Sequence, residues 1–223
     1  MMKKTLLALT VMAATAGAQA AVVSFDYGMP LALTTTEINQ TGNLGLFDSG
    51  LGTLTGASIE VFGGALFSFS GTNTAQQAQN SNITASTSLL WSTSLGALTT
   101  FLADTIDLSA SSGIQSYAVG QTLSFGPIAQ NSSNVDNLST ILGSLQAAGG
   151  GTFGVTCESL SGLNVQGGGG NISTTQSTQA GCGARIVYTY DEATTQVPEP
   201  ATLSLLGLAL AGVGVATRRR KSA

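Results

Sequence analysis

Two pairs of acidic residues have a spacing that carboxylate chemistry could use. Asp104 and Asp107 lie three residues apart, and Asp191 and Glu192 are adjacent. A glycoside hydrolase uses two carboxyl groups about 5–10 Å apart, and Ca²⁺ is bound by clustered oxygen ligands. Neither pair has the repeated Asp spacing of a calcium-binding loop, so acids that keep a loop solvated are the simpler interpretation. A hydrolase that uses Asp104, Asp107 or Asp48 is the less favoured alternative.

The segment Phe47-Asp48-Ser49-Gly50 contains an Asp-Ser-Gly sequence that resembles the core of an aspartic protease. That chemistry needs two carboxylates that share one proton, each in its own Asp-Ser/Thr-Gly loop. The chain has no second copy of this sequence, so a protease would have to be a symmetric dimer. We therefore expect this segment to be structural.

Cys157 and Cys182 are the two cysteines of the chain. In an oxidising compartment an even number of cysteines favours a disulfide, and closing this loop stabilises a fold by about 3 kcal/mol in the chain-entropy model. Two buried thiols or intermolecular bonds are the alternatives. The predicted bond joins the end of one strand to the start of the last strand, across Gly167–Gly170. That glycine run lacks the Lys and Ser/Thr of a phosphate-binding loop and is predicted to be a hairpin tip.

The distribution of charge excludes several classes of function. The chain has no His, and six of its seven basic residues lie near its ends, at positions 3, 4 and 218–221. Residues 21–197 contain one basic residue, Arg185, and ten acidic residues, which gives them a formal charge of −9. Nucleic-acid binding needs clustered Lys and Arg, while Ser-His-Asp triads and most zinc sites need His. We expect no nucleic-acid partner, no cofactor or metal and no catalytic residues.

Residues 1–20 have the pattern of a secretory signal peptide. Lysines at positions 3 and 4 precede an apolar run over 5–17. Ala18 and Ala20 then supply small residues at the −3 and −1 positions of a cleavage site. The apolar run is too short for a membrane-spanning helix. The prediction is cleavage by signal peptidase between Ala20 and Ala21.

Residues 198–223 form a second targeting segment. A Pro-Glu-Pro sequence is followed by an apolar run over 202–217 and then by a basic cluster. The residues that define the two ends of this signal are Pro198, Glu199, Pro200, Arg218, Arg219 and Arg220. An apolar helix of this length barely crosses a hydrocarbon layer of about 30 Å, and the basic cluster would stay in the cytoplasm. A permanent tail anchor is one interpretation.

This three-part layout closely resembles the PEP-CTERM sorting signal. The resemblance implies that an exosortase cuts near the Pro-Glu-Pro and then releases or re-anchors the protein. It also implies a Gram-negative bacterium that makes an exopolysaccharide, with a transient span of the inner membrane before the protein reaches the cell surface or extracellular matrix. Because the resemblance covers only residues 197–223, it implies a route and not an activity.

Residues 21–192 have the pattern of an all-β domain, joined to the sorting signal by a linker over 193–197. Aromatic residues occur along its whole length, which argues against disorder. Windows with a period of two are Val23–Tyr27, Thr53–Val61, Ala65–Ser70, Ile83–Leu90, Gln121–Phe125, Thr152–Cys157 and Ala184–Tyr190. Turn-forming Gly, Asn and Ser residues separate them. This pattern predicts a single β-sandwich, jelly-roll-like in architecture.

One segment has helical spacing instead. Its apolar residues are Val135, Leu138, Ile141, Leu142 and Leu145. They would share one face of a helix that begins after an Asn134 cap and stops at the glycines of 149–151. The sequence therefore predicts one short helix across an end of the sandwich.

The segment Phe47–Gly56, with Leu-Gly-Thr-Leu after the Phe-Asp, resembles the opening of the choice-of-anchor domains, type E in particular. Tyr188-Thr189-Tyr190 resembles the Tyr-x-Tyr strand that ends those domains before a sorting tail, and the Gly-Gly-Thr of 150–152 matches a turn of the family. The usual Pro after the Asp is missing. The family is understood as exported β-rich modules without assigned catalytic residues, so the resemblance implies no site residue.

The expected function is a non-enzymatic structural or adhesive role at the cell surface or in a biofilm matrix, with exosortase and signal peptidase as processing partners and an exopolysaccharide as contact. A body rich in uncharged polar residues suits a hydrated polysaccharide and tolerates changes in ionic strength. The alternative is a lectin-like module in which exposed Trp91 and Tyr117 stack on sugars. Against that alternative, Trp91 also fits a core position.

Overall fold

The computed structural model describes residues 20–193 and position 207, and β-strands account for most of them. The strands are β1 (Ala20–Tyr27), β2 (Thr34–Thr35), β3 (Asn39–Gly45), β4 (Phe47–Asp48), β5 (Gly52–Asn73), β6 (Gln79–Thr93), β7 (Ile106–Tyr117), β8 (Thr122–Asn137), β9 (Gln146–Ala147), β10 (Thr152–Gly167) and β11 (Ile172–Glu192). Single turns of 3₁₀ helix lie at Gly96–Leu98 and Leu142–Ser144, and the glycines of Gly168–Gly170 form a tight turn before β11.

Two antiparallel sheets contain nearly all of these strands. Sheet 1 has the order β1-β11-β5-β8, with β2 also paired to β11, and sheet 2 has the order β3-β10-β6-β7. The short strands β4 and β9 form a separate parallel pair. Along the chain, β5, β7 and β10 are each followed by a strand of the other sheet, so the connections repeatedly cross between the sheets.

The strands are longer than the alternating windows of the sequence. The two windows over 53–61 and 65–70 are parts of one strand, β5, which continues through Gly63 and Gly64. Gly63 faces sheet 2, and a Cβ added there would overlap the Leu89 side chain. The glycine therefore marks a close approach of the two sheets and not a turn.

The side chains that point between the sheets form one hydrophobic core. Its largest fully buried members include Phe67, Ile59 and Leu89. Near the start of β5 the ring of Tyr188 packs against Phe25 and Phe47, with centroid distances of 6.1 and 5.9 Å. The Tyr188 hydroxyl donates a 2.9 Å hydrogen bond to the carbonyl oxygen of Gly45 in the other sheet, which satisfies a buried polar group.

The short helix predicted over residues 135–145 is wrong. Val135 belongs to β8 and is exposed, whereas Leu138 and Leu145 are buried in a turn-rich segment that contains the 3₁₀ turn Leu142–Ser144. Asn137 is the last residue of β8, and its side-chain oxygen accepts a hydrogen bond from the Ser139 backbone N–H at 2.8 Å. This local turn competes with helix formation. The apolar residues have helical spacing in the sequence, but they belong to different elements of the structure and do not share one helix face.

The prediction that the glycine run Gly167–Gly170 is a hairpin tip is wrong. It connects β10 of sheet 2 to β11 of sheet 1, so the two strands are not hydrogen-bonded partners. All four glycines have positive φ values between 55° and 89°, a conformation that other residues rarely adopt. Strand β11 begins at Ile172, two residues after the run.

Residues 28–36 lie between β1 and β3 along the chain and cross the outer face of sheet 1. We call this segment the strap. Near its end the strap pairs with β11 through β2. A Cβ at Gly181 would lie 2.7 Å from the Ala32 carbonyl oxygen, and one at Gly183 would lie 2.7 Å from the Met29 sulfur. The strap can therefore lie on β11 only because these positions lack side chains.

Among the described residues there is no helix long and apolar enough to cross a membrane. The predicted signal peptide and the predicted C-terminal sorting helix both lie outside that range.

Candidate functional sites

The first and last strands of the body leave it at the same end. Ala20, the first residue of β1, pairs with Asp191, and Glu192, the last residue of β11, pairs with Gly52 at the start of β5. We call this end of the strands the tail end. The connections β5–β6, β7–β8 and β10–β11 lie at the opposite end, which we call the far end.

The predicted signal-peptide cleavage site coincides with the start of β1. Cleavage after Ala20 would leave Ala21, which pairs with Tyr190, as the first residue of the strand. Ala18 lies outside the described residues. The cleavage itself stays a prediction.

Cys157 and Cys182 form the predicted disulfide, with a Cα–Cα distance of 6.3 Å. The bond does not join strand ends as expected. Cys157 lies in the middle of β10 and Cys182 in the middle of β11, so the bond ties sheet 2 to sheet 1 through the core, where both residues are buried. Beside it, the Cys182 backbone N–H donates a 3.1 Å hydrogen bond to the Gln40 side-chain oxygen across the sheets.

Asp48 holds a turn at the tail end. Its Oδ1 accepts hydrogen bonds from the backbone N–H groups of Gly50 and Gly149, each at 2.9 Å. The second donor comes from the segment just before β10, so the carboxylate connects two parts of the chain that are 101 residues apart. These contacts give the Asp-Ser-Gly sequence a structural role.

The other candidate acids do not form one site. Asp107 accepts a hydrogen bond from the Ser88 hydroxyl on the neighbouring strand, whereas Asp191 lies in β11. Burial, with a smaller contribution from the negative charge of Asp104, raises the pKa of Asp136. Within residues 20–193 no three His, Cys, Asp or Glu residues are grouped as metal ligands would be.

Arg185, the one basic residue of the described body, is paired with an acid. It donates to the Asp26 carboxylate on β1, its directly opposite neighbour, and Glu60 is its opposite neighbour on β5. The hydrogen bond and charge of Asp26 raise the pKa of Arg185. The pair lies on the outer face of sheet 1.

Charge is segregated along the strands. The charged residues of the range 20–193 are Asp26, Glu37, Asp48, Glu60, Asp104, Asp107, Asp136, Glu158, Arg185, Asp191 and Glu192. Strand register places all of them toward the tail end, none beyond the level of Glu60 in sheet 1 or of Thr87 in sheet 2. Gly63 of β5 faces Leu89 of sheet 2 and Gly71 faces Ile83, so the level of Thr87 in sheet 2 corresponds to that of about Phe67 in sheet 1. The far half, which includes residues 67–73 of β5, 172–178 of β11 and 79–86 of β6, carries no charge.

The proposed sugar platforms are wrong. Trp91 and Tyr117 are 8% and 0% exposed and belong to the core. The Trp91 ring nitrogen and the Tyr117 hydroxyl have no hydrogen-bond partner in the described structure. An aromatic residue that the sequence analysis did not single out, Phe62, is half-buried on the outer face of sheet 1 beside the strap.

Comparison with known proteins identifies the C-terminal segment. Residues 196–221 match the PEP-CTERM protein-sorting motif. The chain carries a PEP-CTERM sorting signal. The matched range includes the predicted Pro-Glu-Pro and the arginine cluster. The signal indicates exosortase-dependent export to the cell surface or extracellular space of a Gram-negative bacterium.

The remaining comparisons say little about the body. No curated protein matches the chain. A chain in the structure of infectious bursal disease virus Gx strain has 11% identity and a TM-score of 0.17, with coverage of 80% of this chain and 36% of the viral one. A Gt-strain chain has 11% identity and a TM-score of 0.13, with coverage of 86% and 47%. The chain thus spans less than half of either viral chain, and TM-scores this low support no argument about fold. The resemblance to choice-of-anchor domains stays a prediction.

Proposed function

We propose that this protein is a non-enzymatic structural or adhesive component of the cell surface or extracellular matrix, associated with exopolysaccharide in a biofilm. The observation that carries this proposal is the polarity of the body. Strand β1 begins and β11 ends at the tail end, and the uncharged half lies at the opposite end. The last residue of β11 lies four residues before the matched sorting motif. The sorting signal supports a location at the cell surface or in the matrix. Because the sorting signal follows the tail end of the body along the chain, the arrangement supports a role in which the uncharged far half makes the outward contacts.

The proposed architecture of the body is a jelly-roll-like sandwich. Its eight long strands are divided equally between two antiparallel sheets, in the orders β1-β11-β5-β8 and β3-β10-β6-β7. This arrangement supports a double Greek key, in which the first and last strands are neighbours in one sheet. Jelly rolls occur in both structural and carbohydrate-binding proteins, so the architecture alone assigns no activity.

The proposed processing uses both targeting segments. Signal peptidase cuts after Ala20, and the apolar run of the sorting signal spans the inner membrane transiently while its arginines remain in the cytoplasm. Exosortase then cuts near Pro198-Glu199-Pro200. Pro198 lies six residues beyond Glu192, the last residue of β11.

This proposal includes no enzyme site because several of the acids already have other roles. Asp48 holds a turn, Asp107 bonds Ser88, and Asp26 pairs with Arg185. A carboxylate-dependent hydrolase would need two acids that face one substrate. It remains the less favoured proposal.

The experiment compares four strains of the host. The first has the intact protein, the second combines Glu199→Ala with Arg218→Gln, Arg219→Gln and Arg220→Gln, and in the fourth the gene is deleted. The third has the control Glu37→Ala, an exposed acid outside the sorting signal. An epitope inserted after Gln76, in the far-end β5–β6 connection, reports exposure on intact cells. We expect surface signal and cell–cell aggregation in the first and third strains and neither in the second. Surface exposure without any change in aggregation or matrix mass when the gene is deleted would overturn the structural role.

A further inference from the structure

A crevice of about 270 Å³ lies on the outer face of sheet 1, beside the strap. Met29 and Leu31 of the strap form one wall, the ring of Phe62 on β5 contributes the floor, and Asn131 and Ser133 on β8 contribute to the opposite wall. Phe62 and Ser133 are direct cross-strand neighbours, so the aromatic ring and the hydroxyl lie side by side.

The crevice exists because β5 lacks a side chain next to Phe62 on the same face. A Cβ at Gly64 would lie 2.8 Å from the Asn131 side-chain oxygen and 3.0 Å from a methyl carbon of Leu31. Any larger residue would therefore push both walls apart. The glycine keeps the strap close enough to form a wall while it leaves the floor open.

The walls of the crevice differ in chemistry. The strap and Phe62 offer apolar surface, whereas Asn131, Ser132 and Ser133 are exposed polar residues on an edge strand. Small-molecule sites commonly combine an apolar surface with a few polar groups that fix orientation. A sugar ring has this same division, with C–H groups on one face and hydroxyls around its edge.

The charges in and around the crevice favour a neutral ligand. None of the residues that line the crevice is charged, the nearest acid along β5 is Glu60, and the body carries a formal charge of −9. Arg185, the one cation among the described residues of the body, is held by Asp26. An anionic sugar would therefore find repulsion and no free cation.

We propose that this crevice binds a single neutral hexose unit of a polysaccharide. The sugar face packs on Phe62 between Met29 and Leu31, and its hydroxyls exchange hydrogen bonds with Asn131 and Ser133. A purely apolar ligand would leave that polar wall without partners, which is unfavourable. The inference deepens the proposed function and rests on it only for the source of the ligand.

The test measures binding of three neutral hexasaccharides, cellohexaose, laminarihexaose and maltohexaose, to the exported protein by saturation-transfer NMR and calorimetry. Hexagalacturonate is the anionic comparison and hexanol the apolar one. We expect at least one neutral hexasaccharide to bind, with an affinity that changes little between low and high salt. Phe62→Ala should weaken binding about tenfold or more, which is about 1.4 kcal/mol, whereas Phe62→Tyr retains it.

Two further variants keep the test specific. Asn131→Leu removes the side-chain amide from the polar wall and should weaken sugar binding without weakening hexanol binding. Ile114→Ala truncates an apolar side chain that is 81% exposed on sheet 2 and should change nothing. The binding result for a variant is used only if its melting temperature equals that of the wild type, which shows that the variant is folded.

The inference is overturned if no neutral hexasaccharide binds, if folded Phe62→Ala binds as well as the wild type, or if hexagalacturonate or hexanol binds more tightly than the sugars. Surface exposure and aggregation, which test the proposed function, do not depend on these readouts. A failure of sugar binding with intact aggregation therefore removes only the crevice proposal.

Discussion

The tail-end and far halves of the body have the same strand geometry but different means of stabilisation. The tail-end half contains all the charged residues, an ion pair and the Asp48 turn. The far half uses apolar packing and neutral hydrogen bonds, such as the 2.7 Å contact between the Ser70 and Thr175 hydroxyls. The difference teaches that one continuous pair of sheets, with strands up to about 70 Å long by strand rise, can be held by different kinds of interaction at its two ends.

The two halves should therefore respond differently to solution conditions. Salt and pH act on charges and ionisable groups, so their effects should be confined to the tail-end half. The following variants test that contrast, from the largest expected effect to the smallest.

Replacement of Phe67, which is fully buried in the far half, should have the largest effect. Phe67→Ala should lower the free energy of unfolding by about 3–5 kcal/mol because it leaves a cavity. Urea unfolding at low and high salt should give the same loss, and Ser68→Ala, on the opposite face of the strand, is the matched control. A loss that depends on salt would contradict the contrast between the halves.

Removal of the disulfide should have the next largest effect. The double variant Cys157→Ala with Cys182→Ala should be less stable by about 3 kcal/mol, which lowers the melting temperature by roughly 6–12 °C for a domain of this size. Calorimetry of the variant beside the reduced wild type measures the change. If the fully reduced wild type melts at the temperature of the oxidised protein, the bond does not stabilise the pairing of the sheets.

Loss of the Asp48 carboxylate should have an intermediate effect, confined to the tail end. Asp48→Ala removes the acceptor for Gly50 and Gly149 and should cost about 1–2 kcal/mol. Asp48→Asn keeps one side-chain oxygen and should recover most of that loss. Hydrogen exchange should become faster around 48–50 and 147–151 but not in β5 beyond Gly63, and faster exchange throughout the far half would show that the halves are strongly coupled.

Asp136→Asn should produce the smallest change, and it should be stabilising. The pKa of Asp136 is raised above 3.8 by burial and then by Asp104, so the folded state binds its proton more tightly than the unfolded chain does. Stability from this group is present at pH values below 3.8 and is lost as the pH rises through the folded-state pKa. At pH 7 the melting temperature of the variant should be higher than that of the wild type by less than about 2 °C, and at pH 3 the two melting temperatures should be equal. The same difference at both pH values would show that the raised pKa of Asp136 is not the cause.

Much of the strand content follows from local alternation, whereas the strand lengths do not. The pattern over 53–61 and 65–70 is visible in the sequence, but Gly63 and Gly64 look like a turn until Leu89 and the strap are known to occupy the space beside them. For the same reason Phe62 was missed. Its alternation with Val61 places it outside the core, yet it lies between the two predicted windows.

The failed helix and the crevice show the limits of local patterns. Leu138 and Leu145 have helical spacing, but each is buried by a separate contact of the chain with the core. The Cys157–Cys182 bond could be predicted from number and compartment, but its place between two mid-strand positions depends on topology. The crevice requires β5, β8 and the strap together, and no short segment of sequence contains all three.

The pairing of Ala20 with Asp191 has one more consequence, for the connectivity of the chain. Because opposite residues of antiparallel strands are about 5 Å apart, a short linker could join the two ends of the body, and new ends could be opened between Gly167 and Ile172. Such a circular permutant would keep every strand in its place. With the sorting signal attached at the new end, the chain would leave the body from the uncharged half and no longer from the tail end.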